Sequence, residues 1–347
     1  MGPNTQHIVA IPTTSLVEGS TSVPIFLPFK APTPPPSFSQ SAIWTKEKRM
    51  ATVCTQQKHV YLTFKRHLSL QHSKAMKATL RYLAGMAGPS GFGSNSTAEQ
   101  VTEDCSCFLP SALTALITGA SSGIGAETAR VLAKRGVRVV IAARDLKKAK
   151  EVKKNIQKET PKAEVILLEI DLGSFGSVQR FCSEFLALEL PLNILMSFLV
   201  NRNIIRQNDR DGREDRYNGT RAYAQSKLAN ILHAKEIAKQ LKARNERVTI
   251  NAVHPGIVKT GIIRAHKGLI TDSLFFIASK LLKTTSQGAS TTCYVALSPK
   301  TEGISGKYFA DCNESKCSSL ANDESEAQTL WNNTHALLQK RLRQATI

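Results

Sequence analysis

Tyr223 and Lys227 stand four residues apart, the spacing that places a phenol and an ammonium on one face of a helix. The chemistry such a pair can do is proton transfer at an oxygen. A phenol is a weak acid near neutrality, and a neighbouring cation favours its phenolate. On a helix this pair is ordinarily structural, so it needs a partner site. That site lies a hundred residues upstream, where Leu113-Thr114-Ala115-Leu116-Ile117-Thr118 runs straight into Gly119-Ala120-Ser121-Ser122-Gly123-Ile124-Gly125. An apolar strand, a glycine-punctuated turn and an amphipathic helix make a phosphate cradle. The glycines allow a tight turn and a close backbone approach, and the helix N-terminus offers free N–H groups and a positive dipole end. Ser121, Ser122 and Ile124 add side chains and amides around the phosphates.

Two further positions bear on the nucleotide. Arg144 closes the second strand, where a cradle of this type meets the adenosine ribose. An acidic residue there would bind a 2′-hydroxyl, whereas a guanidinium forks around a 2′-phosphate. This favours NADP(H) over NAD(H), with the adjacent Asp145 arguing the other way. Asp171-Leu172 follows the third strand and is equally readable as a helix-capping neighbour of Gly173.

The spacing TGxxxGxG over Gly119, Gly123 and Gly125, with Tyr223-Ala224-Gln225-Ser226-Lys227 as YxxxK and His254-Pro255-Gly256 beyond it, resembles the short-chain dehydrogenase/reductase family. The likeness covers roughly 76–195 and 217–347. It is nearest to the retinol-dehydrogenase-like branch, and within that to plant chloroplast-envelope members. The resemblance implies an oxidoreductase in which Tyr223 exchanges the hydroxyl proton of an alcohol or carbonyl substrate. Lys227 would hold the nicotinamide ribose and tune Tyr223. Asp171 and Leu172 would contact adenine, and Pro255, Gly256 and Thr260 the nicotinamide side. The implied cofactor is NADP(H), which carries the hydride, and no metal is called for. Many members are dimers or tetramers, so a homo-oligomer is compatible.

The elements that must position these residues alternate regularly. Strands are expected at 113–118, 137–142, 163–170, 191–196, 247–253 and 305–310. Helices are expected at 123–135, 145–159, 174–187, 219–244, 272–283, 286–297 and from 323. That alternation predicts an α/β fold, a Rossmann-type doubly wound parallel sheet. Thr97-Ala98-Glu99-Gln100 has the form of a capping box and predicts a short helix ahead of the first strand.

One stretch breaks the pattern. Family members close the fourth strand with Asn-Asn-Ala-Gly, then add a helix bearing an Asn and a fifth strand ending in a catalytic Ser. Here Asn193-Ile194-Leu195 runs into Met196-Ser197-Phe198-Leu199, and the motif is absent. Too few residues remain before Tyr223 for a helix, a strand and their loops. Gln207 to Arg216 is almost wholly polar, and no Ser or Thr occurs from 198 through 219. The expectation is a sheet lacking one central strand and its helix, aberrant at 196–217, from a chain shortened internally.

The rest is set by composition. The 347 residues accommodate one α/β domain, 113–347, preceded by a helix and linker over 76–112. Residues 1–75 are Ser/Thr/Pro-rich, hold eight basic residues against two acidic ones, and lack periodicity, which reads as a disordered extension. That extension is either a plastid-type targeting peptide or sequence upstream of a true start at Met76, the latter slightly favoured. The net charge of +19 comes without basic runs interleaved with aromatics, which excludes a nucleic-acid motif. Seven cysteines without paired CxxC spacing fit a reducing compartment. The most apolar run, Leu274–Leu282, is broken by Lys280 and too short to span a bilayer, leaving peripheral membrane contact open. Trp331 to Arg343 could form a basic amphipathic helix for calmodulin or a membrane surface, although packing on its own domain is the commoner outcome. Two readings stand. One is an NADP(H)-dependent oxidoreductase for a retinoid-like or other hydrophobic alcohol or carbonyl, impaired in this chain, in the chloroplast (the cytoplasm if 1–75 is no targeting peptide). The other is a non-catalytic NADP(H)-binding regulator at a plastid membrane.

Overall fold

The computed structural model describes residues 6–10, 76, 80–107, 113–198, 219–259 and 282–345. Residues Met1–Val17 and Gly85–Ile347 form one compact unit and Glu18–Ala84 another. The strands are β1 (Gln6–Ala10), β2 (Thr114–Thr118), β3 (Arg138–Ala143), β4 (Val165–Glu169), β5 (Ile194–Ser197), β6 (Val248–His254), β7 (Tyr308–Ala310) and β8 (Asn313–Glu314). The helices are α1 (Gly123–Lys134), α2 (Leu146–Glu159), α3 (Phe175–Leu186), α4 (Gly219–Ala243), α5 (Thr285–Leu297) and α6 (Glu324–Ala345), with a 3-10 helix at Gln100–Cys107. The sheet order is β4-β3-β2-β5-β1-β6-β7-β8. Every pairing is parallel except β7 with β8.

The parallel sheet follows from the sequence because β2 and β3 are apolar on both faces and must be covered on both. Successive side chains alternate between faces. Ala115, Ile117, Val139 and Ile141 pack with α1, α5 and the 3-10 helix on one side. Leu116, Val140 and Ala142 meet Phe181 and Phe185 of α3 on the other. Further along, Ile250 and Ala252 of β6 pack against Ala234 and Ala238 of α4. Ile117, Ile141, Ile194 and Met196 are wholly buried, each stabilising the fold by about 1.5–3 kcal/mol relative to exposure.

The capping box at Thr97 forms as its sequence predicts. The Thr97 amide donates to Gln100 Oε1 at 2.9 Å, and the Gln100 amide to Thr97 Oγ1 at 3.3 Å. The 3-10 helix it opens buries Val101 and Cys105. Glu99 at its start joins Glu127 of α1 and Glu159 of α2 around Arg130, at 2.6–2.8 Å. These ion pairs tie three elements together beneath the glycine turn.

The sheet differs from expectation in one place. Residues 199–218, where the sequence lacks room for the usual strand and helix, lie outside those described. Yet β5 and β6 do not face each other across a gap, nor do they close up. Gln6–Ala10 lies between them, pairing in parallel with both. This strand lies within 1–75, the stretch whose composition reads as a disordered extension. Its composition hid the strand because five residues are too few for periodicity to register against a Ser/Thr/Pro-rich background. The expected helix at 272–283 falls chiefly on residues outside those described.

Candidate nucleotide-binding and proton-transfer site

The glycine turn leaves the C-terminal end of β2, the edge of a parallel sheet where such folds bind ligands. Gly119 and Gly123 take φ of +73° and +59°, left-handed values that a side chain disfavours. Gly125 is required for a different reason. A Cβ there would lie 2.5 Å from the carbonyl oxygen of Gly119 and 3.0 Å from Ala120 Cα. Helix α1 therefore sits directly on the turn that precedes it. Ser122 occupies the N-cap but its side chain makes no capping bond, so the hydroxyl is not committed to the first turn. Ile124 is buried and Ser121 partly so. The arrangement is an anion cradle that backbone and hydroxyl donors line.

At the end of β3, Arg144 is exposed. Asp145 is the N-cap of α2 and accepts from the Lys148 amide at 3.1 Å. That amide and the Lys148 ammonium hold its carboxyl below the usual range. The residue that argued for NAD(H) is thus engaged in capping, and Arg144 projects beside it. After β4, Asp171 Oδ1 accepts from the Gly173 amide at 2.9 Å, while its own amide donates to Ser177 Oγ at 2.9 Å. Asp171 therefore shapes a local turn, the alternative its sequence left open. Leu172 packs beside the α3 face of the core.

Tyr223 and Lys227 do share a face of α4. The Lys227 ammonium lies 5.0 Å from the Tyr223 ring centroid, within cation–π range. Tyr223 is 38% exposed and Lys227 only 9%, so the phenol reaches outward over a sheltered cation. Ser226 Oγ donates to the Tyr223 carbonyl at 2.6 Å and fixes this turn of helix. At the end of β5, Ser197 accepts a hydrogen bond from Thr118 Oγ1 at 3.3 Å.

At the end of β6, Pro255 and Gly256 are buried and Gly256 has φ of +80°. Two residues that sequence reasoning missed support this turn. A Cβ on Gly256 would come 2.9 Å from Lys283 Cδ and Cε. The Lys283 side chain is 4% exposed and pairs with Asp311. Lys283 also bridges backbone to backbone, its amide donating to the Ile257 carbonyl at 2.8 Å and its carbonyl accepting from the Lys259 amide at 2.9 Å. Burial holds the His254 imidazole below its ordinary range, with Asp311 opposing and Lys283 reinforcing that shift. The second missed residue is Gly288 of α5. A Cβ there would meet Val258 Cγ2 at 2.6 Å and Ile124 Cγ1 at 3.3 Å. This contact brings the glycine turn and the His254-Pro255-Gly256 turn together, though they are far apart in sequence. A glycine inside a helical pattern was the available signal. Thr260 lies outside the described residues.

Comparison with known proteins matches residues 113–201 to the family described as short chain dehydrogenase. A curated relative, short-chain dehydrogenase TIC 32 B, chloroplastic, of Brassica napus, is 38% identical over 307 residues, covering 72% of this chain and 95% of the relative. Retinol dehydrogenase 12 of Bos taurus is 35% identical over 274 residues, covering 64% of this chain and 85% of the relative. Retinol dehydrogenase 14 of Homo sapiens is 34% identical over 283 residues, covering 63% and 84%. The alignment with the Brassica protein runs over 307 residues yet draws on 72% of a 347-residue chain, so tens of its positions have no counterpart here.

Proposed function

The chain belongs to the short-chain dehydrogenase family, and we propose that within it this protein binds NADP(H) and transfers hydride between the nicotinamide and a hydrophobic alcohol or carbonyl. The observation that carries the proposal is the glycine turn, seated so tightly on α1 that a methyl at Gly125 would overlap the Gly119 carbonyl. That close approach leaves room for a pyrophosphate where a side chain would otherwise be. Gly119, Ser121, Ser122, Gly123, Ile124 and Gly125 would hold the phosphates. Arg144 would hold a 2′-phosphate, and the capping role of Asp145 supports this choice over NAD(H). Asp171 and Leu172 would border the adenine, and Pro255, Gly256 and Thr260 the nicotinamide.

When bound, NADP(H) supplies or accepts the hydride. The residues of this chain do the rest. Tyr223 gives or takes the proton at the substrate oxygen. The sheltered Lys227 ammonium lies beside the Tyr223 ring and would hold the ribose. The substrate class rests on the retinol dehydrogenase relatives, and a chloroplast location on the TIC 32 relatives. Peripheral contact with a plastid membrane is compatible with the basic end of α6. Packing of that helix on its own domain is favoured over a calmodulin-type partner. Trp331 is spent against His233 of α4, rings 6.2 Å apart, and Thr334 lies 3.1 Å from His233 Nε2.

A second reading is favoured by one observation. Residues 198–219 hold no Ser or Thr to polarise the substrate oxygen, and Ser197 is bonded to Thr118. On that reading the chain binds NADP(H) without turning over. One experiment separates the two. NADPH binding is followed by fluorescence and retinal-type aldehyde reduction by absorbance, for wild type and Tyr223→Phe. Binding with turnover that Tyr223→Phe abolishes supports the oxidoreductase. Binding without turnover in either supports the regulator. Absence of NADPH binding overturns both.

A further inference from the structure

The pairing of Gln6–Ala10 with two strands far away in sequence has a consequence for the whole N-terminal segment. In the parallel register, His7, Ile8, Val9 and Ala10 align with Ile194, Leu195, Met196 and Ser197 of β5. On the opposite edge, Gln6 to Ala10 align with Val248, Thr249, Ile250, Asn251 and Ala252 of β6. The β6 register runs the full length of the strand and the β5 register from His7 to Ala10, neither with an offset. Successive residues of a central parallel strand bond alternately to either side, so all five contribute to one ladder or the other.

The surroundings make this position a demanding one. Ile194 and Met196 of β5 are 1% and 0% exposed, and Ile250 and Ala252 of β6 are 4% and 1%. Without a strand between them, two ladder edges in the middle of the sheet would lie open, the arrangement that invites aggregation. The stretch Gln207 to Arg216, almost wholly polar, is a poor source of that strand. Gln6-His7-Ile8-Val9-Ala10 supplies it. It has two β-branched residues and neither Pro nor Gly. Residues Met1–Val17 also group with Gly85–Ile347, whereas Glu18–Ala84 forms a unit of its own. The two stretches that the sequence reads as one extension are thus divided at about residue 17.

We infer that the slot between β5 and β6 is a strand-acceptor site whose occupant is this chain's own residues 6–10, so that this strand is an integral part of the domain. The strand is held by backbone pairing, and it remains in place when the covalent link to the domain is cut. The inference stands apart from any oxidoreductase reading, since it concerns only what closes the sheet.

The test is to insert a site for a sequence-specific protease between residues 40 and 41 of the full chain, cleave the purified protein, and run it on gel filtration with light scattering. The expected result is that the fragment 1–40 stays with the domain at the mass of one copy, and that Val9→Pro in the same chain releases it. Proline removes a ladder donor from a strand paired on both sides. If the fragment elutes free while the domain remains soluble and keeps its circular dichroism, the strand does not close the sheet and the inference is overturned. Co-elution only in a species of twice the mass, falling on dilution, overturns the assignment to the same chain and places the strand in a second copy. If Val9→Pro cannot be obtained in soluble form, the cleavage arm on the unsubstituted chain decides alone. NADPH binding is recorded in parallel, so that its loss without release of the fragment bears on the cofactor and not on the strand.

Discussion

Gly125→Ala sets two effects of opposite sign against each other. Gly125 is a residue of helix α1 without a positive φ, and alanine at such a site gains about 1 kcal/mol in helix propensity. Against this stands the added Cβ, 2.5 Å from the Gly119 carbonyl oxygen and 3.0 Å from Ala120 Cα. Both are backbone atoms, so no side chain can rotate away. The turn and the helix must separate by several tenths of an ångström, and overpacking of this kind costs about 1–3 kcal/mol. Because the obstruction is backbone, the upper half of that range applies and the clash prevails by about 1–2 kcal/mol. For a domain of this size the melting temperature should fall by about 3–6 °C. The same displacement moves the amides that would face the pyrophosphate, so NADPH affinity should fall at least about tenfold, equivalent to 1.4 kcal/mol.

Gly176→Ala is the matched control. Gly176 also lies in the first turn of a helix, α3, with nothing within 4 Å of an added Cβ and no positive φ. Here only the backbone-entropy gain remains, about 0.4–1 kcal/mol, so the melting temperature should rise slightly and NADPH affinity stay unchanged. The assay is a thermal melt of each variant with and without NADPH, alongside a fluorescence titration. If Gly125→Ala melts at or above the wild-type temperature and binds NADPH within twofold, the close approach is not the reason for the glycine, and the reasoning fails.

Replacing Arg144 by Ala should weaken NADPH binding about tenfold or more, the value of a lost charge-assisted hydrogen bond, with NADH affinity unmoved. Equal loss for both nucleotides in the titration would remove Arg144 from the 2′-phosphate. Lys283→Met leaves Asp311 without its cation while keeping an apolar stem beneath Gly256. Breaking a buried pair costs about 3–5 kcal/mol, and the partial exposure of Asp311 places this one at or below the lower end, so a denaturation midpoint unchanged from wild type would contradict it. Arg130 holds the Glu99 and Glu127 carboxyls below their ordinary value of 4.5. Their contribution is therefore complete above pH 4.5 and is lost as pH falls through the lower folded values. Arg130→Met should cost about 1–3 kcal/mol at neutral pH, less the screening at the exposed Glu99 and Glu159, and flatten the acid limb of stability against pH. An acid limb as steep as wild type would mean other groups set it.

Much of the nucleotide half was legible because its signals are local. Apolar strands at 113–118 and 137–142 alternate with capped helices, and the structure places strands at 114–118 and 138–143. The capping box at Thr97 depends on four consecutive residues and forms as read. What escaped the sequence depends on long-range contact. Lys283 and Asp311 become a pair only because β7 brings the latter beside the end of β6. Gly288 matters only because Ile124 and Val258 converge on it. Asp145, which the sequence sets against Arg144, turns out to cap α2, and the Asp171 carboxylate accepts a bond from the Gly173 amide, neither of which residue type alone decides. The strand at Gln6–Ala10 is the extreme case, since its partners on β5 and β6 begin at Ile194 and Val248, far along the chain.

These facts divide the molecule along a line that bears on its chemistry. The glycine turn, Arg144 and Asp171 all sit on the unbroken run 113–198, where each element is followed by its neighbour in the sheet or its covering helix. Tyr223 and Lys227 stand on α4, whose inner face packs against β6 through Ala234, Ala238, Ile250 and Ala252. Helix α4 therefore takes its position from β6, and β6 takes its own from β1 on one edge and β7 on the other. Loss of the β1 pairing would disturb Tyr223 and Lys227 before it reached the glycine turn, because β2 lies on the far side of β5. Cofactor binding and turnover should then respond differently to the same perturbation. Val9→Pro would lower turnover more than NADPH affinity, whereas Gly125→Ala would lower affinity with Tyr223 and Lys227 undisturbed.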